Sequence, residues 1–162
     1  MSFFVLGLPR SRTAWLANFL TYDGNFCYHE GLDGCHTIEE YYNKVDGVKG
    51  DSGTGLMLID LPKDSPKVII ENDVEKSITF AKEVYGIYDP KFFYFLKDKL
   101  DSVEGLRVNF EDINDSLEQI WTHLIGTPYD YERGELLRNM NIQTNNFYDY
   151  DFNAMRNLLC LG

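Results

Sequence analysis

Near the start of the chain, Arg10, Ser11, Arg12 and Thr13 place two permanent cations and two hydroxyls side by side, just after Gly7 and Pro9. Arginine grips a phosphate or sulfate through two donors at once, and hydroxyls add further donors. The chemistry this group suits is the holding of a small oxyanion. Further along, His29 and Glu30 offer an imidazole and a carboxylate, both common proton acceptors. The plainer alternative is that Thr13 only caps a helix, both arginines pair with surface acids, His29 bonds locally and Glu30 caps a turn.

Positioning these groups requires a strand, a loop and a helix. Phe3 to Leu6 is a short run apolar on both faces, which suits a central parallel strand. Trp15, Leu16, Phe19 and Leu20 recur at helical spacing, so a helix from Thr13 to Tyr22 should face the sheet. Its opening turn has backbone N–H groups without helical partners, and these can receive an anion. Asn25 to Tyr28 reads as a second strand that delivers His29 and Glu30. A short helix capped by Thr37, a strand over Val48 to Asp51 and a small-residue loop over Gly50 to Gly55 follow.

In the second half, Val68-Ile69-Ile70 reads as a buried strand. A helix from Val74 to Tyr85 follows, capped by Asp73 or Asn72 and stopped by Gly86. Asp89-Pro90 starts another helix, and Leu106 to Phe110 is the last strand. Asn114 or Asp115 should cap a helix around Trp121 that Gly126 closes. Helical segments over Glu132 to Met140 and Phe152 to Leu161 complete the chain. Alternating strands and helices predict an α/β fold: one domain over residues 1–162, with about five mostly parallel strands. Ligands of such sheets bind at the strands' carboxyl ends.

Fifteen Lys and Arg against 26 Asp and Glu leave a net charge of −11. That charge disfavours nucleic acid or an anionic membrane as partner and makes a focused cationic loop more telling. No segment reads as an export signal or a membrane span, and the three cysteines do not suggest a disulfide scaffold, so a cytoplasmic location is expected. Cys27, His29, Cys35 and His36 are all metal-ligand types, but their spacing is not that of a zinc site, and no metal is expected. Glu111-Asp112 reads as turn capping rather than a catalytic pair. Arg133 and Arg138, five apart, read as solvated surface, with a lid over an anionic ligand as the alternative.

An orthodox ATP-binding loop is not present. Aligning Gly7 with the first glycine of G-x-x-x-x-G-K-[ST] puts Arg12 at the second glycine, Thr13 at the lysine and Ala14 at the metal-binding hydroxyl. The stretch Val5-Leu6-Gly7-Leu8-Pro9-Arg10-Ser11-Arg12-Thr13-Ala14-Trp15-Leu16 instead resembles the 5′-phosphosulfate-binding loop of sulfotransferases, G-x-P-R-S-G-T-T-x-L, with Arg12 in place of the glycine and Ala14 in place of the second threonine. The segment from Leu106 to Ile113, followed by Ile120 to Tyr129, is similar to that family's late strand and helix. The short length resembles compact sulfotransferase-like proteins of phages and bacteria.

The resemblance implies a three-layer P-loop NTPase-like fold and transfer of a sulfonate from 3′-phosphoadenosine 5′-phosphosulfate, without metal, to a hydroxyl acceptor. It also implies site residues. Gly7, Pro9, Arg10, Ser11, Arg12 and Thr13 would hold the 5′ end, Ser77 the 3′-phosphate, Glu30 or His29 would be the base, and Arg10 would stabilise the leaving group. Glu71 stands where the family usually carries an arginine for the 3′-phosphate. Two alternatives stay open: a degenerate P-loop protein binding a nucleotide or anion without catalysis, and a small-molecule kinase.

Overall fold

The computed structural model describes residues 2–22, 25–86 and 89–138. Its centre is a sheet of five parallel strands in the order β2-β3-β1-β4-β5. The strands are β1 (Phe3–Gly7), β2 (Cys27–His29), β3 (Gly50–Gly53), β4 (Lys67–Glu71) and β5 (Leu106–Asn109). The helices are α1 (Thr13–Phe19), α2 (Ile38–Asp46), α3 (Val74–Tyr85), α4 (Pro90–Ser102), α5 (Leu117–Leu124) and α6 (Tyr131–Arg138).

The three layers follow from the strands' side-chain alternation. Phe3 and Val5 of β1 with Val68 and Ile70 of β4 pack under α1 and α5, against Trp15, Leu16, Phe19, Ile120 and Trp121. Phe4, Leu6 and Ile69 face the opposite side and meet Tyr41 and Val45 of α2 and Leu96 and Leu100 of α4. Both sides of β1 are therefore buried, as a continuous apolar run requires of a central strand. β1 lies between β3 and β4, so the loop leaving its carboxyl end opens where the winding of the sheet reverses.

Helix boundaries follow local chemistry closely in α3 and α4. Asp73 accepts the Glu75 N–H at 2.8 Å and Asp89 that of Lys91 at 3.0 Å, while Gly86 ends α3 at φ 69°. Elsewhere the sequence-based boundaries shift. Tyr22 and Asn25 exchange backbone bonds of 2.8 and 2.7 Å, closing a turn that delays β2 to Cys27–His29. β3 falls on Gly50–Gly53, shifted from the expected Val48 to Asp51 and wholly inside the expected small-residue loop. It needs small residues because the Phe3 ring would lie 2.3–2.6 Å from a methyl group added at Gly50. The last expected capping site is also corrected. Residues 110–115 form a 3-10 turn that buries Ile113, and the N-cap position of α5 falls on Ser116 instead of Asn114 or Asp115. Met140 and the segment from Phe152 to Leu161 lie outside the described residues. Among those described, no helix is long and apolar enough to cross a membrane.

Candidate anion-binding site

The loop between β1 and α1 is built from left-handed backbone. Arg10 has φ 72°, and Arg12 has φ 58° and ψ 26°. Each left-handed non-glycine residue costs about 1–2 kcal/mol, so the surrounding contacts must enforce the shape. Left-handed residues alternating with ordinary ones turn successive N–H groups into a concave, anion-accepting surface. Arg12 is also the N-cap of α1, and its side chain makes no capping bond to the helix. Where the resembled motif has glycine, this chain thus keeps a conformation that favours glycine. Gly7 has a steric requirement of its own: an added methyl group would come 2.8 Å from Ser11 Cβ.

Neighbouring elements brace the loop. The Thr54 hydroxyl donates to Gly7 O at 2.8 Å, Ser77 Oγ to Pro9 O at 2.9 Å and Ser52 Oγ to Thr13 O at 2.8 Å. Ser11 N–H donates to Leu8 O, but the Ser11 hydroxyl is buried inside the loop with no partner among the described residues. A buried orphan hydroxyl carries a desolvation cost that a ligand oxygen would remove. The Arg10 guanidinium is exposed and lies 4.0 Å over the Phe80 ring of α3. Arg12 is half-buried, lies 4.4 Å over the Trp15 ring and donates to Asn114 Oδ1 at 2.8 Å. Burial lowers its pKa from the usual arginine value.

Ser77, a candidate for a 3′-phosphate, instead has its hydroxyl turned onto the Pro9 carbonyl. Glu71 is paired with Arg107 at 3.0 Å, and Arg107 also donates to the carbonyls of Leu100, Asp101 and Val103. Between the ends of β4 and β5 lies an open groove of about 300 Å³ lined in part by Glu71, Asp73, Lys76, Glu111 and Asp112. Three of the expected loop residues, Gly7, Arg12 and Ser11, therefore shape or fill the loop, whereas Ser77 and Glu71 are already engaged and Lys76, loosely paired with Glu111, is the cation that α3 presents to the groove.

The two proton acceptors lie at the carboxyl end of β2, with β3 between that strand and β1. His29 is buried, its Nδ1 2.9 Å from Ser52 O, and burial lowers its pKa. Glu30 adopts φ 53° and its two carboxylate oxygens accept N–H bonds from Thr54 at 2.6 Å and Gly55 at 3.0 Å. Thr54 in turn holds Gly7, so Glu30 bears on the shape of the loop between β1 and α1 through two bonds. Glu30→Gln turns an amide donor toward one of these N–H groups. It should lower stability by about 1.5–3 kcal/mol, read from urea denaturation midpoints. An unchanged midpoint would show that the carboxylate does not clamp the loop.

Several other residues differ from their sequence-based reading. Arg133 is buried instead of solvated: it donates to Asn18 O and Thr21 O and lies among the rings of Phe19, Tyr22 and Trp121. Arg138 is half-buried and donates to Asn114 O at 2.7 Å. Asp112 accepts from the Asn109 side chain, and Glu111 pairs loosely with Lys76 at 3.5 Å. Cys27 packs on the α1 side of the sheet and Cys35 on the α2 side, so the two thiols are separated by the sheet. Nothing in the sequence tied Thr54, Phe80 or Asn114 to the loop, because each acts on it from a distant element. No protein-family model, no curated protein and no solved structure matches this chain.

Proposed function

We infer that the loop between β1 and α1 binds the 5′-phosphosulfate end of a nucleotide and that the chain is a sulfotransferase-like P-loop protein acting on a hydroxyl acceptor. The observation that carries this reading is Arg12, left-handed where the resembled motif has glycine, beside a buried Ser11 hydroxyl with no partner among the described residues. The donor would supply a sulfonate on a good leaving group. Arg10, stacked on Phe80 at the rim, needs only a side-chain rotation to meet the charge on the leaving oxygen. Glu30 stands across the loop with one lone pair on each oxygen already used, leaving the others to accept the acceptor's proton.

Binding without turnover is a second reading, favoured by the same engagement of Glu30 and by the burial of His29. Calorimetric titration with 3′-phosphoadenosine 5′-phosphate, with ATP and Mg²⁺ as comparator, tests the binding. The first should bind, and Arg10→Ala should weaken it by about 1.5–3 kcal/mol, roughly ten- to a hundredfold. No heat with the first and tight binding of the second would overturn the reading. Intact binding with no sulfonate transferred to any hydroxyl acceptor would select the second one.

A further inference from the structure

Two guanidinium groups converge on one neutral residue beside the loop. Arg12 Nη1 donates to Asn114 Oδ1 at 2.8 Å, and Arg138 Nη2 donates to Asn114 O at 2.7 Å. Those two bonds and the size of an asparagine keep the donor nitrogens within roughly 10 Å of each other. The corner is held by a further tie: Trp15, whose ring lies under Arg12, donates its indole N–H to Leu137 O at 3.2 Å and so anchors the end of α6 to α1.

Charge makes this corner unusual. The chain has 26 acidic residues, yet among the described residues Arg12 has no carboxylate within ion-pair distance. Among the described residues Arg138 has only exposed Glu135 within ion-pair distance, at 3.4 Å, and its buried Nε has no hydrogen-bond partner there. Two partly buried cations held together by a neutral amide repel each other and leave donors unused. A tetrahedral oxyanion corrects both defects.

We propose that Arg12 and Arg138, meeting on Asn114, form a second oxyanion subsite that takes a phosphate or sulfate group next to the one held by the loop. As a place for a second charge of the same ligand, it rests on the loop reading under the proposed function. It also answers the misfit on α3, where Ser77 and Glu71 are already engaged.

The test uses the full chain and two probes. With inorganic phosphate against chloride at equal ionic strength, the thermal midpoint of Arg10→Ala should still rise, by about 3 °C at ten times the dissociation constant. Adding Arg138→Gln to that variant should abolish the rise, and Arg12→Gln should do the same if it folds. A rise that survives Arg138→Gln, or no rise in either the parent chain or Arg10→Ala, overturns the subsite. The second probe compares adenosine 5′-phosphate with 3′-phosphoadenosine 5′-phosphate. The extra phosphate should tighten binding at least tenfold, and Arg138→Gln should remove that gain while sparing the monophosphate. If inorganic phosphate responds but the nucleotide gain does not, the corner holds a free ion. Failure of both nucleotides to bind at the loop would sink the proposed function while the phosphate arm still judges the corner.

Discussion

Replacing Trp121 with alanine will lower the unfolding free energy by about 3–5 kcal/mol, a large share of the 5–15 kcal/mol typical of a domain. Trp121 is fully buried in α5, and its ring lies at 5.6 Å from Phe19, 4.9 Å from Tyr22 and 6.3 Å from Tyr129, centroid to centroid. Its indole N–H donates to Thr127 O at 3.1 Å. Truncation removes the largest fully buried side chain among the described residues and leaves a cavity that rigid neighbours cannot refill. Arg133, whose guanidinium lies 5.5 Å from the Trp121 ring, would be left against a void while still bound to Asn18 and Thr21 at the end of α1. Loosening that end of α1 also loosens its start, where Arg12 caps the helix. Trp121→Phe, which keeps a ring, should cost less than half as much. Urea unfolding of both variants reads the effect, and a loss below 1 kcal/mol for the alanine variant would show that this cluster does not hold α1.

The architecture was legible because it depends on local patterns. Apolar runs such as Phe3 to Leu6 and Val68 to Ile70 announce buried strands, and Asp73, Gly86 and Asp89-Pro90 mark the ends of α3 and α4 nearly to the residue. β3 was harder, since Gly50-Asp51-Ser52-Gly53 has the composition of a turn and is a strand through its pairing with β1 and β2, with glycine required at position 50 beside the Phe3 ring. The cationic loop was visible because its residues are contiguous. Its bracing was not: Arg12 meets Asn114 across 102 positions, Glu30 meets Thr54 across 24, and no local periodicity encodes such pairs. Arg133 illustrates the same limit. Its helix spacing gave no sign that three aromatic rings from α1 and α5, or from the turn after α1, would enclose it.

Stability should also fall as pH rises from about 4 to about 6, by on the order of 3 kcal/mol, through Asp51 alone. Asp51 lies in β3, fully buried beneath Glu30 and α2. Burial pushes its carboxyl up to about 6, reinforced by the Glu30 charge and opposed mainly by the Gly31 N–H bond of 3.1 Å. Oδ2 has no well-formed partner, and the buried Tyr41 hydroxyl lies against it in the same state. In the unfolded chain an aspartate titrates near 3.9, so between about pH 4 and 6 the native state holds the extra proton. Unfolding then releases it, and stability drops with rising pH until both states are ionised. His29 works in the opposite sense: its pKa is lowered by burial, so its contribution is present above the ordinary histidine value near 6.5 and is lost as pH falls toward its folded value. The discriminating quantity is therefore the difference between the parent chain and Asp51→Asn, in which the His29 contribution cancels. That difference should change by about 3 kcal/mol across the window, whereas parallel stability profiles would mean that Asp51 is ionised throughout. Gly31 follows Glu30 and bonds to Asp51, so this carboxyl shares one turn with the Glu30 oxygens that hold Thr54 and Gly55.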